Sequence, residues 1–487
     1  MGISSRISSR FKVEFLGQIL TTISGGLISV LLARFLDPNS YGLFFLTLSV
    51  FAVLKIGAKL GIAKSAARYL SEYKESQPDQ IPAIIRIAIT LNLATLFIII
   101  GALIFAREII ADLLGEPEIA LLLLLGTPYV IFSVLVYDFR KFFQGLEDIK
   151  NASSIHALHK VSRLFIVIAI LVLGYGVIGA LVGYILSAIL AFLFGLYVIY
   201  VNYYRSDDSG ETEPGLRRRI MEYSIPITAT HTATVLDKRV DTLLVGFFLS
   251  PVHVGYYVIG KQAVEFVETP VSALGFTLSP TFGAEKSSGN ISRASKIYET
   301  ALTHTLLLYI PAAAGLALVA EPLIGLIFGA DYTGAVPVIQ VLSIYIVLEA
   351  ISKITGNGLD FLGRARSRAV AKGISSGSNV LLNIVLIPTI GVVGAAIATV
   401  ITHSIYVAFN FYIITSEFNI RYRYLLKNVL SIAFTTAVMS VVVFLLLEFI
   451  HGWVTLLLVV ATGTLVWAAL SSIIGVLDIK YIASKLI

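Results

Sequence analysis

The chain has 487 residues, of which 57% are hydrophobic and 14% charged, with a formal net charge of +6 and no cysteine. A soluble domain carries about a quarter of its residues as charges, so this balance excludes an ordinary soluble protein. The missing cysteine excludes a disulfide framework and thiol chemistry. Apolar runs recur along nearly the whole length, so the chain reads as an all-α integral membrane protein, multi-pass in the cell (cytoplasmic) membrane.

In windows of about 20 residues, the first six apolar spans fall at 13–36, 42–63, 84–106, 118–137, 152–173 and 176–201. The first is too long for a signal-peptide core and shows no convincing cleavage site, so it reads as a retained start-transfer helix. A polar linker at 202–221 contains Arg217-Arg218-Arg219. That run reads as an orientation signal at lipid headgroups, with anionic-lipid binding as the alternative. Eight more spans follow at 222–249, 254–281, 295–320, 335–356, 368–388, 391–415, 424–447 and 451–475, giving 14 transmembrane helices.

Lys and Arg outside the spans collect in alternate connections: the N-terminus, 64–86, 138–150, 205–219, 285–296, 364–372, 421–427 and the C-terminus. The other connections hold one clear cation, Arg107, among Glu108, Asp112, Glu116 and Glu118. Under the positive-inside rule both termini are cytoplasmic and the number of spans is even.

An internal repeat runs through the same spans. Phe35-Leu36-Asp37-Pro38 with Gly42 returns as Phe248-Leu249-Ser250-Pro251 with Gly255, 213 positions later. Leu114-Gly115 returns as Phe328-Gly329, and Gly176-Val177-Ile178-Gly179-Ala180 as Gly391-Val392-Val393-Gly394-Ala395. Phe143 and Gly145 match Phe361 and Gly363. Four matches in order imply two six-helix lobes in a parallel pseudo-two-fold repeat, 1–201 and 222–415, plus two extra C-terminal helices within 416–487. Such repeats place a substrate site between the halves.

Charges inside the spans mark candidate sites, because an ionisable side chain in hydrocarbon is costly and faces protein or water. The densest group is Asp237-Lys238-Arg239-Val240-Asp241, halfway along the seventh span. It reads either as a salt-bridge cluster locking helices together or as the wall of a polar cavity. Lys55 and Lys59 lie one turn apart on the second span with no acidic neighbour on that helix. Their partner is Asp237 or Asp241, a glutamate of the eighth span, or an anionic substrate. Arg163 lies halfway along the fifth span; Lys261, Glu265 and Glu268 sit on the eighth; Glu349 and Lys353 form a four-residue pair on the tenth. The substrate-facing set is therefore Lys55, Lys59, Lys238, Arg239 and Arg163. The ion-pairing or coupling set is Asp237, Asp241, Glu265, Glu268, Glu349 and Lys353.

Other chemistry is not visible. No Walker A pattern occurs, the seven histidines form no metal constellation, and His156 and His159 read as interfacial. No metal, cofactor or nucleic-acid partner is implied. The outer connections are too short for a polymerase or ligase site, which argues against an enzyme.

Three stretches carry a family resemblance. Leu32-Ala33-Arg34-Phe35-Leu36-Asp37-Pro38 with Tyr41-Gly42 resembles the first hairpin of the polysaccharide transporter family of oligosaccharide flippases. Ala66-Ala67-Arg68-Tyr69-Leu70 resembles the close of its second helix. Asn379 through Asn383, Ile387-Pro388 and Gly391 through Thr399 resemble its eleventh-to-twelfth helix signature. The superfamily also holds multidrug exporters and lipid II flippases.

The resemblance implies a fourteen-helix transporter that moves a lipid-linked oligosaccharide, on a polyprenyl phosphate or diphosphate carrier, to the outer leaflet by alternating access. It implies cavity cations that meet the lipid's phosphate, and extra helices similar to a pair that flanks a lipid groove in lipid II flippases. The implied partners are that lipid, membrane lipids, glycan-assembly enzymes and a coupling proton or sodium ion. The rival within transporters is a cation-coupled multidrug exporter, which calls for an acidic residue deep in the first helix; Glu14 lies at its cytoplasmic end. The alternative from another class is a membrane scaffold of a glycan-assembly complex, which would tolerate neutralised buried charges.

Overall fold

Helices overlap the described part of each of the fourteen expected spans in the computed structural model, which describes residues 23–204, 212–288 and 290–477. The beginning of the first span, Glu14 included, and the middle of the linker lie outside the described residues. The helices are α1 (Ile23–Phe35), α2 (Pro38–Lys59), α3 (Ile62–Ser76), α4 (Ile81–Leu113), α5 (Glu118–Leu125), α6 (Thr127–Gly145), α7 (Ile149–Val172) and α8 (Gly176–Ile199). They continue as α9 (Leu216–Phe248), α10 (Pro251–Ser287), α11 (Ile291–Ile327), α12 (Val336–Phe361), α13 (Ala365–Ile390), α14 (Val392–Glu417), α15 (Tyr422–Leu446) and α16 (Trp453–Ile473). Among the described residues there is no strand. Among the described residues ten helical segments are long and apolar enough to cross a membrane, and the bent pair α5–α6 makes an eleventh.

Two stretches differ from their reading as loops. The basic stretch 64–86 is mostly α3, an amphipathic helix that buries Ile62, Ala66, Tyr69, Leu70 and Tyr73 and turns its charges outward. The fourth span is broken at Gly126 by a 43° bend, and α6 then runs on to Gly145, carrying part of the expected loop 138–150 into the bundle. Charge counting missed both, because an amphipathic or late-polar helix has no apolar window.

Contacts divide the chain into two units, Met1–Val254 and Gly255–Ile487. In the first, α3, α4, α6, α7, α8 and the start of α9 enclose a core that includes Ile84, Phe139, Phe142, Phe143, Ile155 and Ile220. Helix α9 packs on α2 and α3: Ser65 Oγ donates to Ile220 O at 2.8 Å, and a Cβ on Gly246 would meet the end of the Leu46 side chain at 2.5 Å. Gly42 abuts Pro251, so the two repeated Pro turns touch each other; a Cβ there would stand 1.6 Å from Pro251 O. The matched glycines Gly176 and Gly391 both sit at helix starts with positive φ, +54° and +69°, a conformation that favours glycine. The end of the linker is tied to α3. Glu213 accepts from Tyr73 OH, pairs with Arg219 Nη2 at 2.7 Å, and its backbone N–H donates to Gln80 at 3.0 Å. These bonds hold the Glu213 carboxyl below the usual carboxylate range.

In the second unit α11, α12 and α14 form the centre, and α15–α16 pack on α11 through Ile432, Met439, Val443, Val459 and Trp467. The start of α15 is clamped there. Buried Glu299 accepts from the Arg421 backbone N–H at 2.6 Å and from its guanidinium at 2.8 and 2.6 Å.

Candidate functional site

The depth of the first unit's charges follows from one bond. Thr95, near the middle of the 33-residue α4, donates to Ala58 O at 2.6 Å, so the end of α2 lies halfway down α4. There the second expected span is interrupted: Leu60 and Gly61 have φ of 39° and 66°, and the chain restarts as α3. Lys59 is the last residue of α2, and Lys55 lies one turn before it.

Neither lysine meets a carboxylate at ion-pair distance among the described residues. Lys55 Nζ donates to Tyr129 OH at 3.4 Å and lies 4.5 Å from that ring's centre. Lys59 Nζ lies 3.9 Å over the ring of Tyr137. Arg163, 5% exposed, places its guanidinium 4.1 Å over Tyr184 and 5.7 Å from Tyr129. Its Nη2 is 2.5 Å from His159 Nε2, and its Nε donates to Ser187 at 3.4 Å. Tyr129 and Tyr184 meet edge to face at 5.7 Å. Arg239 acts electrostatically on Tyr184, and Lys160 on Tyr129 and Arg163.

Four of the five cations expected to face substrate thus gather in one unit around Tyr129, Tyr137 and Tyr184, joined by Lys160. Lys238 is exposed, whereas Asp241 is 2% exposed. Asp237, Lys238 and Asp241 each have interactions of their own. The partners of Lys55 and Lys59 are tyrosine rings, together with a carboxylate that the sequence reading put in a loop. That carboxylate is Asp138 on α6, 0% exposed, which accepts from Asn92 Nδ2 at 2.6 Å and feels the charge of Lys59. His159 is buried beside Arg163 instead of lying at an interface.

Clustered cations without paired acids repel one another and are poorly solvated, and tyrosine faces offset only part of that, about 2 kcal/mol per desolvated contact. Such a cluster is electrostatically incomplete, and an anion completes it.

The second unit holds a polar group of the opposite kind, already neutralised. Glu349 Oε1 pairs with Lys353 at 2.8 Å, as their spacing implied, and its Oε2 lies 2.9 Å from His403 Nε2, within ion-pair distance but outside hydrogen-bond geometry. His403 rests against Tyr345 at 4.6 Å. Glu268 feels both Glu349 and Lys353. Lys261 lies 5.6 Å from the Tyr257 ring, and Glu265 is exposed with contacts of its own. Among the described residues no group of three or more His, Asp or Glu side chains is arranged to hold a metal ion.

Long apolar helices that hold uncompensated charge at mid-depth define a multi-pass membrane transporter. Sequence comparison makes the class specific: the profile described as "Polysaccharide biosynthesis protein" matches residues 11–285, and the MatE profile matches 226–385. The chain belongs to the polysaccharide biosynthesis protein family. It is 24% identical over 398 residues to the Haloferax volcanii protein named "Probable low-salt glycan biosynthesis flippase Agl15", covering 80% of each chain. It is 23% identical to "Probable flippase AglR" of the same organism, covering 82% of this chain and 81% of that one. Its fold matches an inward closed conformation of the lipid II flippase MurJ with a TM-score of 0.76, at 18% identity, over 94% of this chain and 98% of the other. It also matches an inward-facing multidrug resistance MATE family transporter with a TM-score of 0.65, at 16% identity, over 82% and 95%.

Proposed function

We propose that this protein flips a lipid-linked oligosaccharide from the inner to the outer leaflet of the cytoplasmic membrane, for assembly of a cell-surface glycan. The observation that carries the proposal is the group Lys55, Lys59, Lys160, Arg163 and Arg239. Lys55, Lys59 and Arg163 lie over tyrosine rings, Lys160 and Arg239 act electrostatically on Tyr129 and Tyr184, and none of the five shares an ion pair with a carboxylate among the described residues. A phosphate or diphosphate linkage supplies the missing negative charge. The tyrosine faces suit sugar rings, while the polyprenyl tail stays in lipid. The name of one relative, a glycan biosynthesis flippase, supports this substrate class, and the flippase name of another supports the activity. A receptor for cationic drugs would need the opposite charge, so the exporter reading fits this cluster poorly.

In this account both termini are cytoplasmic, and α1, α9 and α10 complete fourteen crossings. Alternating access carries the head group while charges on the lipid phosphate stay paired. The reading is tested by reconstituting the purified chain in vesicles with a fluorescent lipid-linked oligosaccharide and following its exposure to an added glycosidase. Transfer should require the protein and fall at least tenfold in Arg163→Gln and Lys55→Gln variants that remain monodisperse. Equal transfer by parental and variant chains would refute the assignment.

A further inference from the structure

We propose that Asp138, with Asn92, forms a proton-binding site that loads when an anion occupies the neighbouring cation cluster. The site rests on the flippase reading and adds a coupling partner to it. Asp138 and Asn92 are both 0% exposed, and a single bond joins them, Asn92 Nδ2 to Asp138 Oδ2. The remaining oxygens, Asp138 Oδ1 and Asn92 Oδ1, are buried without any hydrogen-bond partner. Both orphans are acceptors, so what the pair lacks is a hydrogen. A proton taken from water onto Oδ1 supplies it and changes no bond in the transported lipid. Two oxygens are far fewer than the shell a hard metal cation requires, which favours a proton as the occupant.

The groups around Asp138 set the direction of coupling. Helix α6 packs against α2, α3, α4, α5, α7 and α8. Lys59 of α2 is the charged group that acts on Asp138, and Lys59 in turn feels Lys55 and, from α3, Lys64. Helix α4 contributes neutral Asn92. On α6 itself Tyr137 feels both Asp138 and Arg140, and Arg140 lies 3.3 Å from His156 of α7. Lys160 and Arg163 of α7 act on Tyr129, His159 of α7 meets Arg163, and Tyr184 of α8 faces Arg163.

Lys59 is therefore the link between the cluster and the acid. With the cluster empty, its charge works against protonation of the buried Asp138. A bound phosphate claims that charge, and a buried carboxylate left without it takes a proton. By reciprocity, a protonated Asp138 frees Lys59 for the anion, so proton and anion bind together.

The test uses the full chain in nanodiscs, in weak buffer with a pH indicator, and a polyprenyl glucose phosphodiester as probe. Its phosphate carries one fixed charge near neutrality, so the probe itself releases no proton. Binding to the parental chain should take up close to one proton per lipid at most, and affinity should weaken by up to about tenfold per pH unit as pH rises. Asp138→Asn should bind with no uptake and a flat pH profile. Lys59→Gln, at a half-buried helix end, should also lose uptake, because Asp138 is then protonated before the lipid arrives. Binding without uptake by the parental chain, or undiminished uptake by Asp138→Asn, overturns the site. If the parental chain does not bind the probe, the flippase reading falls first and the coupled site falls with it.

Discussion

Replacing Arg163 with methionine separates a functional charge from a structural one. The arginine is 5% exposed and gives up most of its hydration. Its contact with Tyr184 at 4.1 Å contributes about 2 kcal/mol when desolvated. Its polar contacts with Ser187 and His159 add about 1.5–3 kcal/mol. Against this stand the desolvation of a buried ion, several kcal/mol, and repulsion from Lys160 one helical turn away. The terms nearly cancel, so Arg163→Met, which keeps an unbranched apolar stem, should leave stability within about 1 kcal/mol of the parent. Thermal unfolding in detergent should then shift by about 2–4 °C or less, while vesicle transfer of a lipid-linked oligosaccharide is lost. A variant destabilised by about 3 kcal/mol or more, with transfer falling only as folded protein falls, would mean that Arg163 is helix-packing glue and that its site reading is wrong.

Three further outcomes follow from other parts of the fold. Gly42→Ala should cost at least about 1–3 kcal/mol, because its Cβ would overlap Pro251 O and push the two Pro turns apart; a normal melting profile would contradict that contact. Glu349→Gln should destabilise the second unit by about 2–3 kcal/mol, below the fully buried range since Lys353 keeps about a third of its surface, and doubling it with Lys353→Met should restore part of the loss. Glu213, whose carboxyl is depressed by Tyr73 and Arg219, holds the linker to α3 while ionised. That clamp is in place above the ordinary carboxylate range and is lost as pH falls through the lowered folded value. Hydrogen exchange at 212–219 should therefore rise at acid pH in the parent and be high at every pH in Glu213→Gln.

The helices were legible because hydrocarbon demands long apolar runs, and their order because Pro and Gly punctuate the repeat in register. Lys55, Lys59, Arg163 and Arg239 stood out for the same reason: a cation inside an apolar run is conspicuous. Their partners did not. Tyr129, Tyr137 and Tyr184 look like any aromatic in an apolar segment, and a cation–π contact leaves no mark in sequence spacing. His156, His159, Lys160 and Arg163 do share one helical face by their spacing, which could have drawn the histidines into the site. Asp138 was hidden by its neighbours. It begins a charged stretch that reads as a loop, and only the packing of α6 against α4 reveals that its side chain points into the bundle.

The central claim is that the cation cluster reads a phosphate. The most direct measurement compares vesicle transfer of a polyprenyl-linked oligosaccharide through its natural phosphate linkage with transfer of the same glycan on the same lipid through a neutral ether. The parental protein should move the phosphate form at least tenfold faster, and this preference should shrink in Arg163→Met and Lys55→Gln. Equal transfer of both lipids by the parental protein would mean that the cluster plays no part in recognising the cargo.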